Sequence, residues 1–187
     1  MLDVALKEWA VVVDLLVAGE AAFLLRKGGI HEEQGPGRFA LEHERFALWP
    51  AWEHQDPDRI KPAYRSAATE GGVEPSEVTL HGWAESAGIW EVPSREAFDQ
   101  LDDLHPWTRE QIDMRFDYKP DRPLYLLLLR VSQLVTPRVL PNRPRYAGCR
   151  SWIDLEPEDA IDESGGPLAM EASKLAEVRE RIERAFG

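Results

Sequence analysis

Apolar positions fall into a few blocks separated by polar stretches rich in glycine and proline. In the first block, DVALKEWAVVVDLLVAG, residues Leu6, Trp9, Ala10, Val13, Leu16 and Val17 recur at helical spacing. Asp3 stands where an N-cap belongs and Gly19 where a helix stops, so the pattern predicts a helix over 4–18. The run Val11-Val12-Val13 favours strand, so a hairpin turning at 18–20 competes with that reading. AAFLLRK, 21–27, is a strand pattern closed by Gly28-Gly29. Arg-Phe-Ala-Leu then occurs twice, at 38–41 and 45–48, around Glu42-His43-Glu44, which predicts a hairpin ended by Pro50.

Residues 66–78 form a polar, glycine-bearing loop, and VTLHGWAESAGIWEV, 78–92, is a strand or an interrupted strand pair. Ser94 caps a short helix carrying Ala97, Phe98, Leu101 and Leu104, and 107–116 is a further helix. LYLLLLRV, 124–131, is apolar on both faces, as expected of a central strand, with Thr136-Pro137 as its stop. In 168–186, Leu175, Val178, Ile182 and Phe186 make one apolar stripe, beside the i,i+4 pairs Glu177–Arg181 and Glu180–Arg184. These elements add up to an α+β fold in a single domain, with a mixed or mostly antiparallel sheet, flanking helices and a C-terminal amphipathic helix. The domain is expected over 1–155, with an acidic connector and the last helix in 156–187.

At 187 residues and 43% hydrophobic content, the chain suits one globular domain with a proper core. Its longest apolar stretch is broken by Asp14, Gly19 and Glu20, so no membrane span is expected. The start, MLDVALKEW, has no basic secretory leader. Cys149 is the single cysteine, which rules out an intrachain disulfide framework. A cytoplasmic protein without a membrane partner is the expectation; oligomeric state is left open.

Charge changes the picture. The formal net charge is −12, yet residues 105–150 hold nine basic and four acidic side chains. Residues 122–153 contain Arg122, Arg130, Arg138, Arg143, Arg145 and Arg150 and no acid. Guanidinium groups bind phosphate or carboxylate bidentately and keep their charge. In RVLPNRPR, Pro141 and Pro144 limit backbone freedom, while Tyr146 and Trp152 lie near enough in sequence to stack. Arg138, Arg143, Arg145 and Arg150 are therefore candidate anion ligands, with Arg26 and Lys27 of LLRKGGI as second members beside two glycines. The competing reading pairs these arginines with DLEPEDAIDE, 154–163, which carries six acids. A hybrid has that acidic segment cover the arginines until a stronger anion displaces it.

Other chemistry is thinner. HExxH fails at His31 because Gly35 stands in the second histidine's place, and GxGxxG and GxxxxGK[ST] are absent. His43 among Glu42 and Glu44, and His54 near Glu53, Asp56 and Asp58, match no metal spacing. His54, between Trp52 and those acids, is a candidate acid–base group. Asp117 and Lys119 form D-x-K, which on a strand would share one face, as in metal-dependent nucleases. A second carboxylate, from Asp58 or Glu85, would then be needed. A divalent metal is called for only under that reading.

LLRKGGI, PLYLLLLRV and GCRSW, together with FALWPAWEHQDPDRIKPAYR, resemble a bacterial and plant family known as domain of unknown function 1802, over roughly residues 5–155. The resemblance implies a soluble single-domain protein and brings no activity with it. The leading functional expectation is a module that recognises an anionic, phosphate-bearing partner through arginines, the partner being nucleic acid, nucleotide or an acidic protein segment. A metal-dependent phosphodiesterase or nuclease built on Asp117 and Lys119 is the alternative. A structural or assembly role through the last helix is the third.

Overall fold

The computed structural model describes residues 1–27, 41–68, 72–148 and 150–187. The strands are β1 (Val4–Trp9), β2 (Phe23–Lys27), β3 (Arg45–Ala51), β4 (Glu77–Glu91), β5 (Leu124–Pro141) and β6 (Trp152–Asp154). The helices are α1 (Ala10–Ala18), α2 (Arg95–Asp99), α3 (Arg109–Asp117) and α4 (Ala172–Phe186). One mixed sheet takes the order β2-β5-β4-β3-β1-β6, with β1 parallel to β3 and the other pairings antiparallel. The fold is the expected α+β single domain.

The first block is corrected: it is half strand, half helix, and neither the 4–18 helix nor the hairpin forms. Val4–Trp9 pairs with both β3 and β6, and only Ala10–Ala18 coils. Helical spacing misled here because α1 is buried nearly all round, including Val11, Val12 and Val13. Packing outweighs the strand preference of its β-branched run. Gly19 does end the helix, at φ 73°, and the Ala169 carbonyl oxygen lies 2.1 Å from where a Cβ would stand. Glycine is required there on both counts.

Of the RFAL pair, the second copy enters β3. The first copy lies almost wholly outside the described residues, and its last residue, Leu41, is not in a strand. Pro50 does not end β3. The pairing of β3 with β4 stops at Ala47, so β4 makes no demand on the donor that proline lacks. Likewise Thr136-Pro137 does not stop β5. The ladder jumps from Gln133↔Gly82 to Arg138↔Leu80, so the proline is absorbed in a bulge and the strand runs on to Pro141. Ser94 caps α2 as read, its Oγ accepting from the Ala97 N–H at 3.1 Å. The stripe of α4 buries Leu175, Val178 and Ile182 against the main core.

The sheet curls. β2 and β1 are separated in strand order by β5, β4 and β3, yet Arg26 on β2 reaches Glu8 on β1 at 2.7 Å. A second guanidinium N–H of Arg26 meets the Lys7 carbonyl at 3.0 Å, while Glu8 also accepts from the Trp9 N–H at 2.8 Å. Both partners are buried, Glu8 at 6% and Arg26 at 9% exposure. Removing one partner of such a pair strands a charge away from water.

Two stability outcomes follow. Arg26→Leu alone should cost about 3–5 kcal/mol, and Glu8→Leu/Arg26→Leu together clearly less than the two single losses combined, read by urea unfolding. The second concerns His105, which is stacked on Phe98 at 5.0 Å and lies near Trp107 and Phe23. Burial, aided by Lys61, lowers its pKa to about 3. The folded state therefore holds the neutral ring, and the unfolded state binds a proton more readily. Stability should be unaffected by this group above about pH 6.5 and fall below it, by up to about 1.4 kcal/mol per pH unit. His105→Phe should flatten that slope between pH 6.5 and 4 in urea titrations; an unchanged slope would exclude the ring as its source.

Candidate functional site

Beyond β3 the chain enters a turn, 52–59, that is held from two sides. One oxygen of Glu74 accepts the N–H groups of Trp52 and Glu53 at 2.9 and 2.8 Å. The buried Gln55 side chain accepts through Oε1 from the Val11 N–H at 3.0 Å, covering a first-turn donor of α1 that Trp9, its N-cap, leaves open. His54 is forced to φ 62°, a left-handed conformation uncommon for a side-chain-bearing residue. Asp56 then accepts from the Asp58 N–H at 2.9 Å, starting the short 3-10 turn Pro57–Arg59.

Helix α3 is pinned beside this turn at both ends. The Thr108 N–H donates to the Arg59 carbonyl at 2.9 Å, and its Oγ1 accepts from the Gln111 N–H at 3.4 Å. At the other end the Lys27 ammonium donates to the Phe116 carbonyl, a cation on the last turn of a helix. Burial lowers the Lys27 pKa, and Asp117 opposes that.

A cavity of about 390 Å³ lies between these pieces. Trp9 faces it from the β1–α1 junction, and His54, Asp56 and Arg59 from the turn. Gln111, Met114 and Arg115 complete it from one face of α3, at i, i+3 and i+4, with Tyr118 just past the helix end. Arg115 is half-buried and makes no hydrogen bond or ion pair with the described residues. Burial pulls its pKa down, Glu8 opposes this and Arg26 adds to it. Among the described residues, the side-chain-bearing residues with positive φ are His54 and Lys119, φ 48°. One lines the cavity, and the other follows Tyr118, over whose ring its ammonium sits at 4.9 Å.

The other sequence candidates are placed as follows. Arg26 closes the sheet, with its Nε buried and without a partner, and Lys27 caps α3. Arg143 meets Asp159 at 2.8 Å and Glu158 at 3.2 Å, Arg145 pairs with Glu156, and Arg138 donates to the Glu158 carbonyl at 3.0 Å. The pairing of this segment with the acidic one is thus the arrangement found for three of its arginines. Arg150 is exposed, and Arg130 pairs with Glu85 at 3.3 Å. Asp117 and Lys119 are corrected in one respect: they share no strand. Asp117 ends α3 and Lys119 follows in a left-handed turn, both exposed, while Asp58 faces Arg65 at 3.6 Å. His43 stands edge-on to Trp152 at 5.1 Å. His31, Gly28-Gly29 and Cys149 lie outside the described residues. Among the described residues no three or more His, Cys, Asp or Glu side chains are grouped to hold a metal ion, and no helix is long and apolar enough to cross a membrane.

Gln111 and Arg115 are the residues that sequence reasoning passed over. Their signal was present: Thr108-x-x-Gln111 opens a helix, and Gln111, Arg115 and Tyr118 keep one helical face polar and aromatic.

A curled α+β sheet with a cavity at the foot of one helix is the class that the fold and site define. The chain belongs to the family described as domain of unknown function (DUF1802), whose model matches residues 5–180. Among solved structures it is similar to a crystal structure of ASCH from Zymomonas mobilis, at 12% identity and TM-score 0.49 over 83% of this chain and 89% of that one. A serine-to-alanine variant of the same protein aligns at 12% identity and TM-score 0.47, over 95% and 99%. A tyrosine-to-phenylalanine variant gives 13% and 0.46, over 83% and 91%. No curated protein matches.

The arginine–carboxylate cluster is organised around Tyr146, which is wholly buried. Its hydroxyl donates to Asp159 at 2.7 Å and accepts from the Glu156 N–H at 2.8 Å. Burial first, then Asp159, pushes its pKa up to about 12. Tyr146→Phe leaves that N–H without its acceptor and should lower stability by about 1–2 kcal/mol, measured by urea unfolding. A neutral change would mean that the hydroxyl does not hold the acidic turn.

Proposed function

We propose that the protein is a binding module for a small phosphate-bearing ligand seated in the Trp9–Arg115 cavity, with Arg115 as the anchoring cation. One observation carries this reading: a guanidinium that has given up part of its hydration lines a cavity, and among the described residues no carboxylate or carbonyl is hydrogen-bonded to it. Desolvated cations are costly unless paired, and an anionic ligand supplies the pair. Of the charged side chains lining the cavity, Arg59 faces Asp56 at 3.5 Å, which leaves Arg115 as the cation in excess. Left-handed residues at His54 and beside Tyr118 are further support, because such backbone cost concentrates at binding sites.

Arg138, Arg143 and Arg145 offer the same chemistry, but a phosphate would first have to displace Glu156, Glu158 and Asp159. The phosphodiesterase alternative rests on Asp117 and Lys119, both exposed, and nothing further favours it.

Titration calorimetry with inorganic pyrophosphate tests the proposal. Wild type should bind in a salt-sensitive manner, and Arg115→Gln should weaken binding about 10- to 100-fold, the worth of a charge-assisted hydrogen bond. Arg143→Gln should leave it unchanged. Equal binding by wild type and Arg115→Gln would end the proposal, and loss in Arg143→Gln alone would move the site to the arginine-rich segment.

A further inference from the structure

We infer that the ligand anchored by Arg115 carries a flat heteroaromatic ring, and that Gln111 reads the hydrogen-bonding edge of that ring, as for the base of a mononucleotide. This rests on the phosphate-site reading just given and adds what lies at the other end of the ligand.

Gln111 is 1% exposed, lines the cavity, and neither Nε2 nor Oε1 of its side chain has a hydrogen-bond partner. An unmet buried donor or acceptor costs about 1–3 kcal/mol, so a buried amide with both ends open is rare without a ligand or water to meet it. Local helix chemistry offers this side chain an alternative. In Thr108-x-x-Gln111 the glutamine would normally fold back onto the N-cap N–H and close a capping box. Here the Thr108 N–H is already taken by the Arg59 carbonyl at 2.9 Å, so the amide is released from that duty.

A primary amide presents a donor and an acceptor side by side in one plane. The complement is an adjacent acceptor and donor on a planar ring edge, such as N7 and the exocyclic amine of adenine. The walls suit a ring. Trp9 lines the cavity with Met114 of α3 and Tyr118 just past its end, the latter two at 44% and 56% exposure, large for apolar groups. Stacking on such aromatic surfaces contributes about 1–3 kcal/mol per base. Gln111 and Arg115 are one turn apart, about 6 Å along the axis, a span that a ribose bridges between base and phosphate.

The experiment compares ribose 5-phosphate with AMP, CMP, GMP and UMP by calorimetry, on wild type and Gln111→Met, a close apolar match in shape. At least one mononucleotide should bind wild type 10-fold or more tighter than ribose 5-phosphate. Gln111→Met should lower the affinity of that mononucleotide about 10-fold, leaving what stacking supplies, leave ribose 5-phosphate affinity unchanged, and keep or raise Tm, because the unmet amide is gone. Equal affinities across the panel overturn the ring while leaving the phosphate site standing. Mononucleotide affinity unchanged by Gln111→Met, or a marked fall in its Tm, removes Gln111 as the reader. Failure of ribose 5-phosphate and of every mononucleotide to bind defeats both readings. A single-stranded pentanucleotide arm separates the two sources of this chemistry. Tighter, Gln111-dependent binding there assigns the ring to a nucleic-acid chain, and weaker binding assigns it to a free nucleotide; each retains the inference.

Discussion

The contact between Arg26 and Glu8 is the constraint from which the architecture follows. A twisted sheet has two open edges, and curling brings their ends near each other without giving them shared ladder bonds. Here a guanidinium on the β2 edge reaches a carboxylate and a carbonyl of β1, the strand next to the β6 edge. Because β1 runs directly into α1 and β2 ends at the lysine that caps α3, the same contact sets two helices against the 52–59 turn. The cavity is what that junction leaves unfilled.

Closure by ions rather than by apolar packing has an electrostatic result. Glu8 is engaged by Arg26 at 2.7 Å, and Arg115 feels its charge without a hydrogen bond or ion pair to it. Arg115 is the one left with room in front of it. The arginine-rich segment shows the opposite solution. Arg143 holds Asp159 below the usual carboxylate range, and Tyr146 shares that oxygen. In one place a positive side chain is short of a partner, and in the other Arg138, Arg143 and Arg145 each have one.

Much of the fold was legible in the sequence, for physical reasons that differ by element. Ser94 and α2, β2 and the apolar start of β5 were readable because their signals are local: a cap, a run, a stripe. The split of 4–18 into strand and helix was not, because pairing of Val4–Leu6 with β3 and β6 is a long-range event. Pro50 and Pro137 looked like stops, since a proline's effect depends on whether a neighbouring strand needs its donor. Of the site, His54 was singled out and does line the cavity. Gln111 and Arg115 were not, because each looks like an ordinary polar helix position until α3 is seated against the 52–59 turn. The segregation of basic residues in 105–150 was visible from the start, whereas its partition between a clasped group and an open one is a property of the folded chain.

β5 threads both apolar clusters. Leu124, Leu126 to Leu129 and Val131 lie in the larger one and Leu140 in the smaller, on either side of the bulge that holds Pro137. One continuous backbone thus acts as a common spine, and neither half has a seam along which to come away alone. The ladder is continuous on both sides of that bulge, and the buried first half of the strand, Leu124 to Ser132, should hold amides among the slowest in the molecule to exchange with solvent.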